Sequence, residues 1–381
     1  MKLALFFTRN VSLKLWADTG LFDREKLIYE QHLRRKNLEK VYWLTYGKDD
    51  AAIADQLKSD NCLHPDIVIL PMPRFFCGAF GRLLYSFLMP LIYSHILKSV
   101  DILKTNQMDG SWSAVITKWL YKKPLIARTG YTLSLAVQRK TRSKLKTKIA
   151  ECIERFTYKY ADVGVVTSGA DKQYICSKYA VLPEKIKVLH NYIDTQLFRP
   201  ADCEKYTDRV IFVGRLHPEK NLLNLIEAVS NTNLTLDIYG QGHLHKQLQR
   251  RAKQLNTGVN FMGVVPNHDL PEVLNRYRYY ILPSLSEGMP KSLLEAMACG
   301  LVCIGTDVEG INEIIEDEVS GYLAQGTSAK ALAETINKAV QRPAGSVASN
   351  GIRKIRSRFS IGIVTEQEKK CLQSLKYEAL L

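Results

Sequence analysis

Acidic residues are the scarce class in this chain. Asp+Glu number 38 against 53 Lys+Arg, a formal net charge of +15. Such an excess points to an anionic partner: nucleic acid, a membrane surface or a phosphorylated substrate. Paired cysteines are also lacking. The eight cysteines, at 62, 77, 152, 176, 203, 299, 303 and 371, form no C-x-x-C pair. Without a disulfide framework the expected compartment is a reducing cytosol. Cys299 and Cys303, the nearest pair, are expected to pack rather than to bind metal. No export signal is expected at Met1–Phe7, an apolar run that is short and reads as a first strand. The most apolar region, 80–97, is interrupted by Arg82, Pro90 and His95 and falls short of a membrane span. It reads as a buried or interface-lying helix. No repeat or low-complexity segment is visible. No G-x-G-x-x-G follows the first strand of either half, which ranks a dinucleotide-dependent oxidoreductase low. No aromatic-interleaved basic motif appears, so nucleic acid is not an expected partner.

What is present is a long alternation of short apolar runs and helical patterns. At 381 residues the chain exceeds what one core supports, so two domains of about 180 residues are expected. In the first half, strands are expected at Lys2–Thr8, Val41–Tyr46, Ile67–Leu70, Ile102–Thr105, Leu125–Ala127, Val163–Val166 and Ile186–Leu189. Arg9–Phe22 reads as a long loop containing Gly20. Helices are expected from Asp23 to about Lys36, from about Arg142 to Tyr160, and after the cap Ser168. The aperiodic Asn191–Pro200 and the polar Ala201–Asp208 place the domain boundary near residue 200. A second series follows: strands at Val210–Val213, Leu234–Tyr239, Val259–Met262 and Tyr279–Leu282, with helices between. Helices at Ala329–Val340, about 347–359 and about 363–377 finish the chain. Strands alternating with crossover helices imply parallel sheets and an α/β class.

The stretch Tyr279–Leu323 carries the strongest chemistry. It reads YYILPSLSEGMPKSLLEAMACGLVCIGTDVEGINEIIEDEVSGYL. The apolar strand Tyr279–Leu282 leads into a Gly/Pro-bearing turn holding Glu287 and Gly288. Pro290 suits the first position of a helix. That helix carries Glu295 and ends near Gly300, a good residue to follow a C-cap. Strand Val302–Gly305 comes next. A loop running into a helix N-terminus is the physical basis of an anion site. The spacing places Glu287 before the helix and Glu295 about two turns along it, both in reach of a ligand lying across the helix start.

A second loop follows the first strand of the second half: Val213-Gly214-Arg215-Leu216-His217-Pro218-Glu219-Lys220-Asn221. Gly214 allows close backbone approach, Arg215 can fork onto phosphate oxygens, and Lys220 adds a point charge. Ligands of open parallel sheets sit beyond the carboxyl ends of the strands, which puts this loop and the Glu287 loop on one edge. Leu236–Gly242 ends another strand there with glycines.

These residues resemble the signature of the retaining GT-B glycosyltransferases, specifically glycosyltransferase family four. The resemblance rests on E-x7-E within P-S-x-x-E-G-x-P…L-E-A-M-A-C-G, on the downstream E-I-I-x-D…S-G-Y-L, and on G-R-L…K-N. It covers residues from about 209 to 340 and, in the first half, architecture, Gly20 and the hinge-like Asn191–Pro200. There Tyr192 replaces the family's common glycine. The resemblance implies two Rossmann-like domains facing each other across a cleft: residues 1–200 for the acceptor and 201–360 for the donor. It also implies a final helix, 361–381, packing back on the first domain. Glu287 is then expected at the donor sugar, with Arg215 and Lys220 on the leaving diphosphate as the catalytic set. Glu295 is expected at the ribose. Gly20, Gly214, Val264, Gly288 and Met289 complete the expected donor-binding set. Relatives often carry a histidine after the strand corresponding to Leu125–Ala127. This chain reads Ala127-Arg128-Thr129-Gly130-Tyr131, so no histidine catalyst is assigned, and Arg128 or Tyr131 stands where that role would fall.

The implied activity is transfer of a sugar from a nucleotide-diphosphate sugar to a glycan or lipid-linked acceptor, with retention. No cofactor and no divalent metal is expected, because the cations neutralise the diphosphate. Segment 139–148 packs six cations into ten residues and is expected to meet an anionic membrane surface. The expected location is therefore the cytoplasm, peripheral on the inner face of the membrane. A catalytically silent nucleotide-sugar-binding scaffold of the same fold is the alternative.

Overall fold

The computed structural model describes residues 1–141 and 143–378, and the chain resolves into two compact units. The first comprises Met1–Leu189 with the chain from Val364 onward; the second is His190–Ile363.

The first unit holds seven strands: β1 (Lys2–Phe6), β2 (Lys40–Leu44), β3 (Ile67–Leu70), β4 (Ile102–Thr105), β5 (Leu125–Arg128), β6 (Val163–Val166) and β7 (Ile186–Val188). They form one parallel sheet in the order β3-β2-β1-β4-β5-β6-β7. The second unit holds β8 (Tyr206–Val213), β9 (Thr235–Tyr239), β10 (Val259–Gly263), β11 (Tyr277–Leu282), β12 (Val302–Thr306) and β13 (Tyr322–Ala324). Its parallel order is β10-β9-β8-β11-β12-β13. In each unit the first strand lies inside the sheet and the order reverses beside it. That reversal opens a crevice at the carboxyl ends.

Each sheet has its own apolar core. Phe6, Leu44, Leu103 and Val166 belong to the first; Phe212, Ile238, Ile281 and Ile304 belong to the second. Helix Lys291–Ala298 buries Leu293, Leu294 and Met297 against the second core, each worth about 1.5–3 kcal/mol. Among the described residues no helix is long and apolar enough to cross a membrane.

Several elements differ from the sequence-based expectation. The 9–22 loop contains a helix, Leu13–Asp18, started by Ser12, whose hydroxyl accepts from the Leu15 N–H at 3.0 Å. Its apolar face is only Leu13 and Trp16, too brief to register as a period. A further helix, Leu133–Thr141, precedes Lys144–Tyr160, which is capped by Ser143. Arg142, where that helix was expected to begin, lies outside the described residues. Pro290 is the residue before the helix, not its first residue.

The unit boundary falls after Leu189 instead of near residue 200. Segment 191–200 bonds into the second unit: the Ile193 N–H donates to the Phe359 carbonyl at 2.8 Å, and Ala201 N–H to the Asn275 side chain at 2.8 Å. The last helix, Ile361–Glu378, enters the first unit from Val364. There Glu368 pairs with Lys104, and its second oxygen lies 3.2 Å from His32 Nε2.

Candidate functional site

β8 and β11 are neighbours in the second sheet, at the point where strand order reverses. The loop after β8 carries Gly214–Asn221 and the loop after β11 carries 283–290, so both leave from one edge. Lys220, at the end of a short 3-10 turn Pro218–Lys220, pairs with Glu287 across 67 residues of sequence. The Ser284 hydroxyl donates to the same glutamate oxygen, Oε1, at 2.6 Å, and Thr306 donates to the Ser284 carbonyl. The Leu285 N–H donates to the Glu219 carbonyl at 2.8 Å, stitching the two loops together. Both members of the pair are nearly enclosed but touch solvent.

Arg215 stands on the same loop and is open to solvent, 79% exposed, with Glu219 3.0 Å away. An exposed pair of this kind contributes about 0–1 kcal/mol, so an incoming anion displaces it at little cost.

The glycines let the loops approach. A Cβ at Gly240 would stand 1.9 Å from the Gly214 carbonyl oxygen, and one at Gly242 would stand 2.3 Å from that of Leu216. Gly310, with φ +80°, does the same on the other side: its Cβ would meet the Gly288 carbonyl at 2.2 Å. The D-V-E-G turn after β12 thus backs the Glu287 loop.

The other expected donor residues divide. Gly214 and Gly288 lie in the two central loops. Met289 is buried behind them, accepting from the Asn191 amide at its carbonyl (2.8 Å). Glu295 is fully buried, and the Asn267 amide donates to it at 3.3 Å. Val264 is exposed just beyond β10, the edge strand two places from β8. Gly20 belongs to the first unit, where it follows helix Leu13–Asp18 with φ +69° and with nothing within 4 Å of where a Cβ would stand. Burial pushes the Cys299 thiol up to about 12, with the Glu295 charge adding to the effect. It packs as an apolar side chain.

Sequence reasoning assigned no role of their own to Ser284, Gly310, Asn191 or Asn221. Asn221 adopts φ +53° and donates to the Thr327 carbonyl at 2.8 Å. Ser284 was legible as part of P-S-x-x-E-G. The Asn191–Met289 bond spans 98 residues and leaves no local signal. In the first unit Arg128 ends β5, with Nη1 3.4 Å from the Asn106 carbonyl, and Tyr131 is exposed three residues on. Among the described residues no three His, Cys, Asp or Glu converge as a metal site requires.

The architecture is that of the GT-B glycosyltransferases, two Rossmann-like α/β domains. The crystal structure of Anabaena Alr3699/HepE in complex with UDP and glucose matches with a TM-score of 0.76, over 98% of this chain and 100% of that one. At 19% identity this is a likeness of fold alone. Residues 197–357 match the family described as glycosyl transferases group 1, and residues 31–197 match glycosyltransferase family 4. The chain belongs to glycosyltransferase family four.

Curated relatives are more partial. An Escherichia coli UDP-Gal:α-D-GlcNAc-diphosphoundecaprenol α-1,3-galactosyltransferase is 27% identical over 244 residues, 59% of this chain and 62% of that protein. The GPI3 polypeptide of Saccharomyces cerevisiae phosphatidylinositol N-acetylglucosaminyltransferase is 28% identical over 200 residues, 49% of this chain and 44% of that protein. The chain thus spans less than two thirds of the length of either.

Proposed function

We propose that the protein is a retaining, metal-independent glycosyltransferase. It moves a sugar from a nucleotide-diphosphate sugar to a hydroxyl of a glycan or lipid-linked acceptor, in surface polysaccharide, lipopolysaccharide or glycolipid biosynthesis. The single observation that carries this reading is the Lys220–Glu287 pair, set between adjacent strand ends at the sheet's switch point. Both relatives named above carry a lipid in their names, which supports the acceptor class.

Lys220 and Arg215 hold the two phosphates and stabilise the charge that grows as the sugar departs. Glu287, its Oε1 already engaged by Lys220 and Ser284, turns its remaining acceptor capacity to sugar hydroxyls. Its negative charge favours the oxocarbenium-like state. The bond from C1 to the diphosphate breaks and a bond to the acceptor oxygen forms on the same face. The acceptor's proton passes to the departing diphosphate oxygen. One well-placed loop carboxylate suits this route better than the paired carboxylates of a double displacement. With two cations on the diphosphate, the reaction needs no divalent metal. The basic segment 139–148 docks the protein on an anionic membrane surface from the cytoplasmic side.

The test is thermal unfolding with UDP, GDP, ADP and their sugar conjugates, each with and without EDTA. A ligand at 100 times its Kd stabilises by about 2.7 kcal/mol. One base is expected to stand out, indifferent to EDTA, and the product anomer to match the donor's. Inversion, or loss of turnover with EDTA, overturns the mechanism. Nucleotide binding without turnover on lipid-linked sugars would instead favour a silent binding protein.

A further inference from the structure

Helix Gly78–Ile92 inverts the pattern of an ordinary surface helix. In 15 residues it carries no acidic group and one cation, Arg82. Tyr85, Ser86, Met89 and Pro90 face inward and are buried. The outward stripe is apolar as well: Phe80, Leu83, Leu84, Phe87 and Leu91 are all exposed, Phe80 by 76% and Leu91 by 57%. A helix that is apolar on all sides is ordinarily enclosed.

Two neighbouring helices extend the stripe. Trp112–Tyr121 packs beside it, and Lys144–Tyr160 packs on the far side of that helix. Phe87 stacks on Trp112 at 5.9 Å, and Trp119 meets Phe156 at 5.6 Å. Leu145 and Ile149 of the third helix stand exposed at 71% and 52%. A shallow groove of about 520 Å³ runs along this face, walled by Phe87, Trp112, Leu145, Ile149 and Phe156, with Lys148 at its edge. Scattered apolar residues on a surface need no explanation, but a contiguous patch over three helices does.

The charge beside the patch selects what covers it. Lys144, Lys146 and Lys148 are exposed in the first two turns of their helix, and Arg139 and Lys140 at the end of helix Leu133–Thr141. Cations at a helix N-terminus oppose the macrodipole, so these lysines do not serve the helix itself. A second copy of this chain, packed face to face about a two-fold axis, would bring like lysines together. An anionic bilayer answers both features at once, with phosphates for the lysines and an acyl boundary for the Phe, Leu and Trp side chains.

We propose that the face formed by helices Gly78–Ile92, Trp112–Tyr121 and Lys144–Tyr160 inserts its apolar side chains into the headgroup–acyl boundary of an anionic membrane. This rests on the membrane-docking reading above and deepens it: the basic segment attracts, and the apolar face penetrates. Salt separates the two. Raising ionic strength to 1 M shortens the screening length to about 3 Å and removes the attraction, while insertion survives.

The experiment is co-sedimentation of the full chain with vesicles of phosphatidylcholine alone and of phosphatidylcholine mixed with phosphatidylglycerol, at low salt and at 1 M NaCl. Brominated lipids report penetration through tryptophan quenching. The protein is expected to bind the anionic vesicles, to show quenching, and to keep part of its binding at 1 M NaCl. Phe80→Gln/Leu91→Gln is expected to weaken the salt-resistant part about tenfold or more, with its nucleotide-induced thermal shift unchanged. Lys144→Gln/Lys146→Gln/Lys148→Gln should instead lose the salt-sensitive part. Binding that 1 M NaCl abolishes, or that ignores the apolar variant, overturns insertion while leaving electrostatic docking intact. No binding under any condition overturns both readings. A two-copy species that Phe80→Gln/Leu91→Gln converts to one copy would assign the face to self-association and refute the proposal.

Discussion

Two lysine–glutamate pairs, one in each unit, have the same chemistry and opposite circumstances. Lys104 and Glu368 are 2% and 6% exposed, and Lys104 also lies 4.8 Å from the Tyr29 ring centre. Lys220 and Glu287 are 11% and 13% exposed, held between two strand-end loops. In the first pair burial itself would raise the Glu368 carboxyl, yet the Lys104 charge beside it, with His32, holds it well below the ordinary range. Lys104 is raised although burial opposes it, because Glu368 and Tyr29 favour its charge. Each partner has become the other's solvent. The second pair keeps a side open to solvent, and under the proposed function that side takes the donor's phosphates and hydroxyls. Pairing alone therefore does not distinguish a staple from a site; the remaining access does.

The comparison breaks most sharply at the staple. Glu368→Gln leaves Lys104 buried and uncompensated, and is expected to cost about 3–5 kcal/mol of stability. The depressed carboxyl also sets a direction with pH. Its contribution is complete above the ordinary glutamate value of 4.5 and drains away as the pH falls toward its own lower value. Acid unfolding followed by circular dichroism should show that loss in the parent and a flatter profile in Glu368→Gln. A variant of unchanged stability would mean that the last helix is held by its apolar contacts alone.

At the site the expectation reverses. Lys220→Ala and Glu287→Ala are each expected to lower turnover by about 10²–10³-fold while thermal unfolding stays close to the parent. Near-normal turnover in either would remove the pair from the mechanism. The smallest effect belongs to the exposed pair: Glu219→Gln should change stability by less than about 1 kcal/mol. A larger loss in a thermal melt would show Arg215 to be held in place rather than available to a ligand.

Much of this was legible along the chain. β3, β4 and β6 begin and end at Ile67–Leu70, Ile102–Thr105 and Val163–Val166, as expected from the short strand-like runs of the sequence. Ser168 caps its helix through its own hydroxyl, a purely local device. The Glu287 and Lys220 loops announced themselves because the turn, glycine and charge signals sit within a few residues. Helix Leu13–Asp18 did not, having only two buried residues. The 191–200 segment looked like a linker because its partners, Phe359 and Met289, are distant in sequence.

Local sequence was enough for the alternation of strand and helix, the parallel class, and the loops that carry Arg215, Lys220 and Glu287. These follow from apolar periodicity and short-range turn chemistry, which neighbouring residues decide. Long-range packing was needed to set β8 and β11 side by side, so that Lys220 reaches Glu287, and to bury Glu295 while leaving Glu287 accessible. It was also packing that turned the apolar stripe of Gly78–Ile92 outward. Strand order and burial depend on which distant surfaces meet, and no local pattern encodes that.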